Sequence, residues 1–447
     1  MKRIAVITAP NMRYVNTGMT TVELSAKGFF SRLVPDANIK FYSVVEPNPS
    51  SSVKWMMMDL GYAHPSSEGV SKLFQHLPLA DYISDAFASD LIIYWGDFLQ
   101  ARHYIENEGA QRLAALHGLE HEDAKRLSYQ MLLQTEEFDS VKEKSIIFGS
   151  SLLYNTARDY SSGSYARDLS DFGKRCAAVL MRDPISAMRI THLTGKYNSN
   201  HLGIDPAFLM RESDTDQLPV SKWSGELEER SAIGLFFGTR TKPPALLWEF
   251  CVELAESFGL NLEWLPWFPY HEILRIEHKG FTWKKKKDKG REWRRRIEEL
   301  LPRGDEYTQG DLLAAIKKYR FVISDTYHLC INSWRAGIPA ICFGSESMAG
   351  SHVIRDFKKR ILYEMYDAKD FYFDALELSD KTRMQAVVRN LVPLLDSAKE
   401  AEMVRERVRM HGEFVGEQLA KAIGGVLKSN GDLESAVCSE QEGSASG

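Results

Sequence analysis

The sequence predicts an α/β protein of two domains, each a parallel sheet covered by helices. Three observations predict it. The chain has 447 residues, more than one ordinary domain holds. Short apolar runs ending in turn residues alternate with stretches of helical spacing, the pattern of a parallel sheet covered by helices. That pattern stops in a polar stretch at 211–230 and then begins again.

In the first half, residues 4–8, 39–44, 91–94, 145–148 and 178–181 are apolar runs of strand length. Helical spacing fills 21–33, a long stretch within 110–135, and 184–193. Asp183 followed by Pro184 is a helix cap followed by the residue suited to the first helical position. In the second half, 233–237 and 260–265 read as strands, and 244–258 and 310–318 as helices. Residues 321–344 read as strand, helix, strand, and a long helical stretch covers 399–427. The domains so drawn are 1–215 and 231–395, joined by a linker at 216–230 and followed by a helical segment at 396–428. Residues 429–447 become rich in Ser, Gly and Glu, and are expected to form a disordered tail.

Composition narrows the function. A hydrophobic fraction of 44% and a charged fraction of 26% are those of a soluble globular protein. No apolar run is long enough to span a bilayer, and the apolar start of the chain is cut short by Pro10 and Asn11, as in a core strand rather than a leader. The five cysteines are scattered without CxxC or zinc-type spacing. A reducing cytoplasm and the absence of structural zinc are expected. A net charge of −5 excludes a generally basic nucleic-acid binder, and no specific nucleic-acid partner is expected.

The most informative segment is 321–344. Phe321, Val322 and Ile323 end a strand at Ser324. Asp325 and Thr326 make the turn, helical spacing starts at Tyr327, and Gly337 stops it before a second apolar run. Ligands of parallel sheets bind at the carboxyl ends of the strands, often at a helix N-terminus. His328 stands at that point, where a titratable ring joins free backbone N–H groups. An anionic substrate suits such a place, although from the pattern alone a histidine satisfied by a backbone carbonyl is the commoner case.

In order, Ser324, Tyr327, His328, Gly337, Ile338 and Pro339 match the signature Ser/Gly-x-Arg-x-His…Gly-Val/Ile-Pro, with Thr326 where that signature has Arg. Ala88 to Asp97 resembles a segment written Ala-Asp-x followed by apolar residues and glycines. Met181-Arg182-Asp183-Pro184-Ile185-Ser186 resembles Arg-Asp-x-x-Ser, and Asp205-Pro206-Ala207-Phe208 resembles Asp-Pro-Ala-Phe. Asn16-Thr17-Gly18 is similar to Asn-x-Gly-Asp, with Met19 in place of the Asp. The chain thus resembles the polysaccharide pyruvyl transferases, and the resemblance implies an architecture similar to the GT-B fold: two doubly wound, Rossmann-like domains facing across a cleft, with a long C-terminal helix.

The resemblance implies transfer of a ketal-linked pyruvyl group from phosphoenolpyruvate to a sugar of a surface polysaccharide or its precursor. No cofactor and no metal are then required. His328 becomes the acid or phosphate ligand, and Asp97 a candidate base. Arg182, Arg240, Lys242, Ser324 and Thr326 become the donor side, in the second domain except for Arg182. Asn16, Thr17, Gly18, Trp95 and Gly96 become the acceptor side. Each has a plainer reading: Asp97 as a helix N-cap, Arg182 paired with Asp183, the 238–242 stretch as a solvated loop, and Asn16-Thr17-Gly18 as an ordinary turn. Trp264, Trp267, Phe268 and Tyr270 stack on a sugar or fill the core. His271 and His278 are too far apart for a metal pair.

Lys284, Lys285, Lys286, Lys287, Arg294, Arg295 and Arg296 form the densest basic run. It suits a glycan or lipid-linked glycan acceptor, peripheral contact with an anionic membrane face, or a solvated surface. Two other function classes stay open: a nucleotide-sugar-dependent glycosyltransferase, favoured by Thr326, and a non-enzymatic binding protein built on the same fold.

Overall fold

The computed structural model describes residues 1–9, 16–44, 64–65, 73–161, 163–221, 231–238, 246–267, 299–300, 306–345 and 353–443. It contains two parallel sheets. The first has the spatial order Leu77–Pro78, Asn38–Ser43, Arg3–Thr8, Leu91–Trp95, Ser145–Phe148, Ala178–Leu180. The second runs Tyr372–Asp374, Ala340–Gly344, Tyr319–Ser324, Ala232–Phe236, Asn261–Trp264. Every pairing in both is parallel. In each sheet the chain moves outward on one side and then returns to continue on the other. The order therefore switches between Arg3–Thr8 and Leu91–Trp95, and again between Ala232–Phe236 and Tyr319–Ser324. The carboxyl ends of these strand pairs are the places where such sheets open a crevice for ligands.

Alternation along the strands divides the interior. Ala5, Ile7, Ile92, Tyr94 and Ile147 pack on one face of the first sheet. Ile4, Val6, Ile93, Trp95 and Phe148 pack on the other, in a core continuous with that of the second domain. The last helix carries Val408, Val415, Leu419 and Ile423 into this shared core, where it meets the strands Leu91–Trp95, Ser145–Phe148 and Ala178–Leu180. A short ladder between His64–Pro65 and Glu306–Tyr307 also ties the two halves.

Local chemistry moves several boundaries from those the sequence suggests. The first helix spans Thr17–Leu33, starting before residue 21, because the Asn16 side chain accepts from the Met19 N–H at 3.3 Å and caps it. The helix expected within 110–135 is two, Ala110–His117 and His121–Leu133, divided where Gly118 takes φ 64°. The described start of the linker stretch is docked: Leu218 is buried, and the Ser221 N–H donates to Asp311 at 2.7 Å. The last helix runs Lys399–Gly443, past the point where a disordered tail is expected; with no proline after Pro393, its ladder of backbone hydrogen bonds can continue.

Candidate functional site

The helix Tyr327–Arg335 follows the strand Tyr319–Ser324, and His328 lies in its first turn, half-buried. The imidazole points out of the second domain. Its Nε2 lies 3.8 Å from Oδ2 of Asp205 in the first domain, too far for a hydrogen bond, and has no hydrogen-bond partner among the described residues. Asp205 is the head of Asp-Pro-Ala-Phe. It caps the short turn Pro206–Leu209 by accepting from the Ala207 N–H at 3.1 Å, and accepts from Arg182 Nη1 at 3.2 Å. Burial would raise its carboxyl, but His328, Arg182 and the Ala207 N–H together hold it down at about 2.

Arg182 leaves the edge strand Ala178–Leu180 with its side chain 3% exposed. The guanidinium lies over the ring of Phe98 at 4.5 Å and of Tyr327 at 5.3 Å, one ring from each domain. Its Nη2 is buried and has no hydrogen-bond partner among the described residues. A second cation shares these rings: Lys358 Nζ lies 5.0 Å from Tyr327 and 5.4 Å from Phe98. Lys358 comes from the helix Val353–Met365 and is half-buried.

Asp97 closes the group. It follows Trp95 and Gly96 at the first sheet's switch point, in a turn where Gly96 has φ 80° and Asp97 itself φ 57°. It does not cap a helix; the tight left-handed turn excludes the extended conformation that an N-cap needs. Burial raises its carboxyl above the ordinary value, and the opposing charges of Arg182, Lys358 and His328 offset only part of that. Those four groups and Asp205 are thus electrostatic neighbours drawn from five separate chain segments.

Other residues expected at the site have different work. Trp95 is 0% exposed, packs on Phe30 and Phe148, and donates from Nε1 to the Val22 carbonyl at 2.9 Å, so it is a core residue and offers no face to an acceptor. Asn16 caps its helix, and Thr17 is buried. Gly18 packs directly against the His328 ring. Gly96 sits over Val22 and Pro206. Ser324 is buried and its Oγ accepts from the Thr326 N–H at 3.0 Å. Thr326 Oγ1 donates to Asp325, which also accepts from the Gly238 N–H at 2.6 Å. Arg182 pairs with Asp205, whereas Asp183 caps the helix Pro184–Thr194 through the Ser186 N–H. Trp264 and Trp267 are core residues. Arg240, Lys242, Phe268, Tyr270, His271, His278 and the basic run at 284–296 lie outside the described residues.

Asp205 and Lys358 were not singled out by their local sequence. Asp205 carries a local signal, a carboxylate before Pro in Asp-Pro-Ala-Phe; Lys358 carries none. No group of three His, Cys, Asp or Glu side chains among the described residues is placed to hold a metal. A cavity of about 1030 Å³ lies at the other end of the Tyr327–Arg335 helix, lined by Phe29, Arg32, Trp334, Arg335 and Arg405 among others, and is lined by none of His328, Asp205, Arg182, Asp97 and Lys358. Around His328 the structure brings together an imidazole, two carboxylates and, among the described residues, a guanidinium nitrogen without a hydrogen-bond partner.

The polysaccharide pyruvyl transferase family matches residues 24–347. No curated protein matches the chain. Among solved structures, a Listeria monocytogenes protein described as a UDP-N-acetylglucosamine 2-epimerase is 11% identical, over 96% of this chain and 98% of its own, with a TM-score of 0.51. The UDP-GlcNAc 2-epimerase of Neisseria meningitidis bound to UDP-GlcNAc is 11% identical over 94% and 100%, with a TM-score of 0.47. UGT73P12 of Glycyrrhiza uralensis is 11% identical over 99% and 100%, with a TM-score of 0.44. The first of these likenesses agrees with the two-domain GT-B architecture. With the family matched over most of its length, the chain belongs to the polysaccharide pyruvyl transferases, and is a transferase.

Proposed function

We propose that the protein moves the enolpyruvyl carbons of phosphoenolpyruvate onto two hydroxyls of a sugar in a surface polysaccharide or its precursor, as a ketal. The observation that carries this reading is the buried Nη2 of Arg182, a cationic donor kept without a partner among the described residues, beside His328 and Asp97. The family match supports it.

The chemistry follows from the placement. His328, protonated, donates a proton to the methylene carbon of the donor, and positive charge develops on the adjacent carbon. Asp97 takes the proton of the first sugar hydroxyl as its oxygen bonds to that carbon. The phosphate leaves, the second hydroxyl closes the ketal, and its proton departs on the phosphate. Two hydroxyl protons are thereby lost and two are gained, one on the new methyl group and one on phosphate, once the proton taken by Asp97 passes through solvent to His328 and restores both groups. Asp205 keeps His328 and Arg182 in place, and the closed site supplies orientation.

The test is a coupled assay of phosphate release from phosphoenolpyruvate with a glycan acceptor, read beside the appearance of a ketal methyl signal by NMR. His328→Ala is expected to lower turnover by about 10²–10⁴-fold while the unfolding transition stays. A variant within a few-fold of wild type would place the acid elsewhere. A second reading, a nucleotide-sugar-dependent glycosyltransferase, is favoured by Thr326 where the family signature has Arg. Thermal stabilisation by a uridine-diphosphate sugar and not by phosphoenolpyruvate would select it. No helix among the described residues is long and apolar enough to cross a membrane. Peripheral contact with an anionic membrane through the 284–296 run rests on the sequence alone.

A further inference from the structure

We propose that Lys358 holds the donor phosphate and the Nη2 edge of Arg182 holds its carboxylate, so that a helix of the second domain supplies the cation absent at Thr326. This rests on phosphoenolpyruvate being the donor. Thr326 occupies the position of the signature Arg, and its hydroxyl is turned to Asp325 rather than to the site. No cation arises from that turn. Lys358 instead reaches the two rings that carry Arg182.

Arg182 and Lys358 stand over the same aromatic pair, with Asp205 paired to Arg182 at 3.2 Å and Asp97 near both cations. A ligand with two separate anionic groups suits two cations so placed. The division of labour follows from the side chains. Arg182 is planar and locked by Asp205 on one nitrogen, which leaves a fixed edge for a planar carboxylate. Lys358 carries a compact ammonium with three rotatable donors, which suits a tetrahedral phosphate.

The helix bearing Lys358 is held firmly. The adjacent Lys359 is buried, donates to the Phe343 carbonyl at 3.0 Å and pairs with Asp356 at 2.6 Å, and Asp356 accepts from the Ser345 N–H at 2.8 Å. These bonds anchor Val353–Met365 to the end of the strand Ala340–Gly344. Lys358, one residue earlier on the helix, is thereby aimed at the site and not at the anchor.

Titration calorimetry of the full chain with phosphoenolpyruvate, inorganic phosphate and pyruvate tests the assignment. Lys358→Met is expected to weaken phosphoenolpyruvate and phosphate by about tenfold or more and to leave pyruvate unchanged. Lys358→Arg is expected to restore most of the loss. In the assay, the KM for the donor rises while kcat changes little. Should Lys358→Met fail to fold, Lys358→Gln gives the same readout. Unchanged phosphate and phosphoenolpyruvate affinity in the folded variant overturns the Lys358 assignment alone. Wild-type protein that binds no phosphoenolpyruvate overturns the donor reading, and this assignment with it.

Discussion

A Cβ placed on Gly18 would lie 2.5 Å from the Cβ of His328. The first helix of one domain and the signature helix of the other therefore touch at the residue proposed as the acid. Thr21 Oγ1, one turn later, accepts from Asn332 Nδ2 at 3.1 Å, and the same amide donates to the His328 carbonyl at 2.8 Å. The obstacle to a side chain at residue 18 is the root of His328, which cannot swing aside. Gly18→Ala is expected to cost about 1–3 kcal/mol of stability by overpacking. It is also expected to lower turnover by displacing the imidazole. Chemical denaturation and the phosphate-release assay check both effects; a variant unaltered in both would show that the contact yields.

Asp205→Asn removes the charge shared by Arg182 and His328. Leaving Arg182 buried without it is expected to cost about 3–5 kcal/mol. The pH dependence identifies the source. Asp205 is depressed from 3.8 to about 2 in the folded protein, so its charge stabilises fully above the ordinary value and the contribution fades as pH falls toward 2. That part is about 2 kcal/mol. The stability gap between wild type and variant is expected to narrow by this amount between roughly pH 4 and pH 2, in urea titrations across that range.

Asp97 has the opposite sign. Its folded carboxyl is raised, so ionising it opposes folding; the penalty is absent below the ordinary value and grows as pH rises through it toward the raised one. Asp97→Asn is expected to be no less stable than wild type at neutral pH while losing about 10²–10⁴-fold in turnover. The acid limb of the wild-type kcat/KM profile is expected above the ordinary aspartate range. Full activity in the variant would remove Asp97 from the chemistry.

Trp95 separates a core role from an acceptor role. Trp95→Phe leaves the Val22 carbonyl and Ser25 hydroxyl without their indole partner. The expected result is a loss of about 1–3 kcal/mol in stability with the acceptor KM unchanged. A raised acceptor KM at unchanged stability would return Trp95 to the site.

Much of this arrangement is legible locally. Runs such as Leu91, Ile92, Ile93 and Tyr94 announce buried parallel strands, and Asp183-Pro184 announces a helix start. Signature spacing places His328 just past a strand. What sequence spacing does not carry is which residues meet across domains. Asp205 reads only as the head of Asp-Pro-Ala-Phe; in the fold one oxygen caps that turn while the other serves Arg182 and sits near His328. Trp95 reads as a ligand platform because it ends a strand at the ligand-bearing edge. Its indole turns inward instead, because alternation assigns that position to the face covered by Phe30. Lys358 lies in an amphipathic helix full of charges, and only the packing of Lys359 distinguishes one lysine from the next.

The last helix sets an order on assembly. Its residues Val415, Leu419 and Ile423 cover strands that precede them by more than 200 positions. During synthesis the first sheet emerges and pairs while one of its faces still lacks part of its cover. That face stays open to other chains until the entire second domain has followed. Closing so late a contact carries a large loop entropy, so folding is expected to be slow at this step. Chaperone dependence during synthesis, more than any weakness of the finished molecule, is then the natural place for destabilising substitutions in Val415 or Leu419 to show themselves.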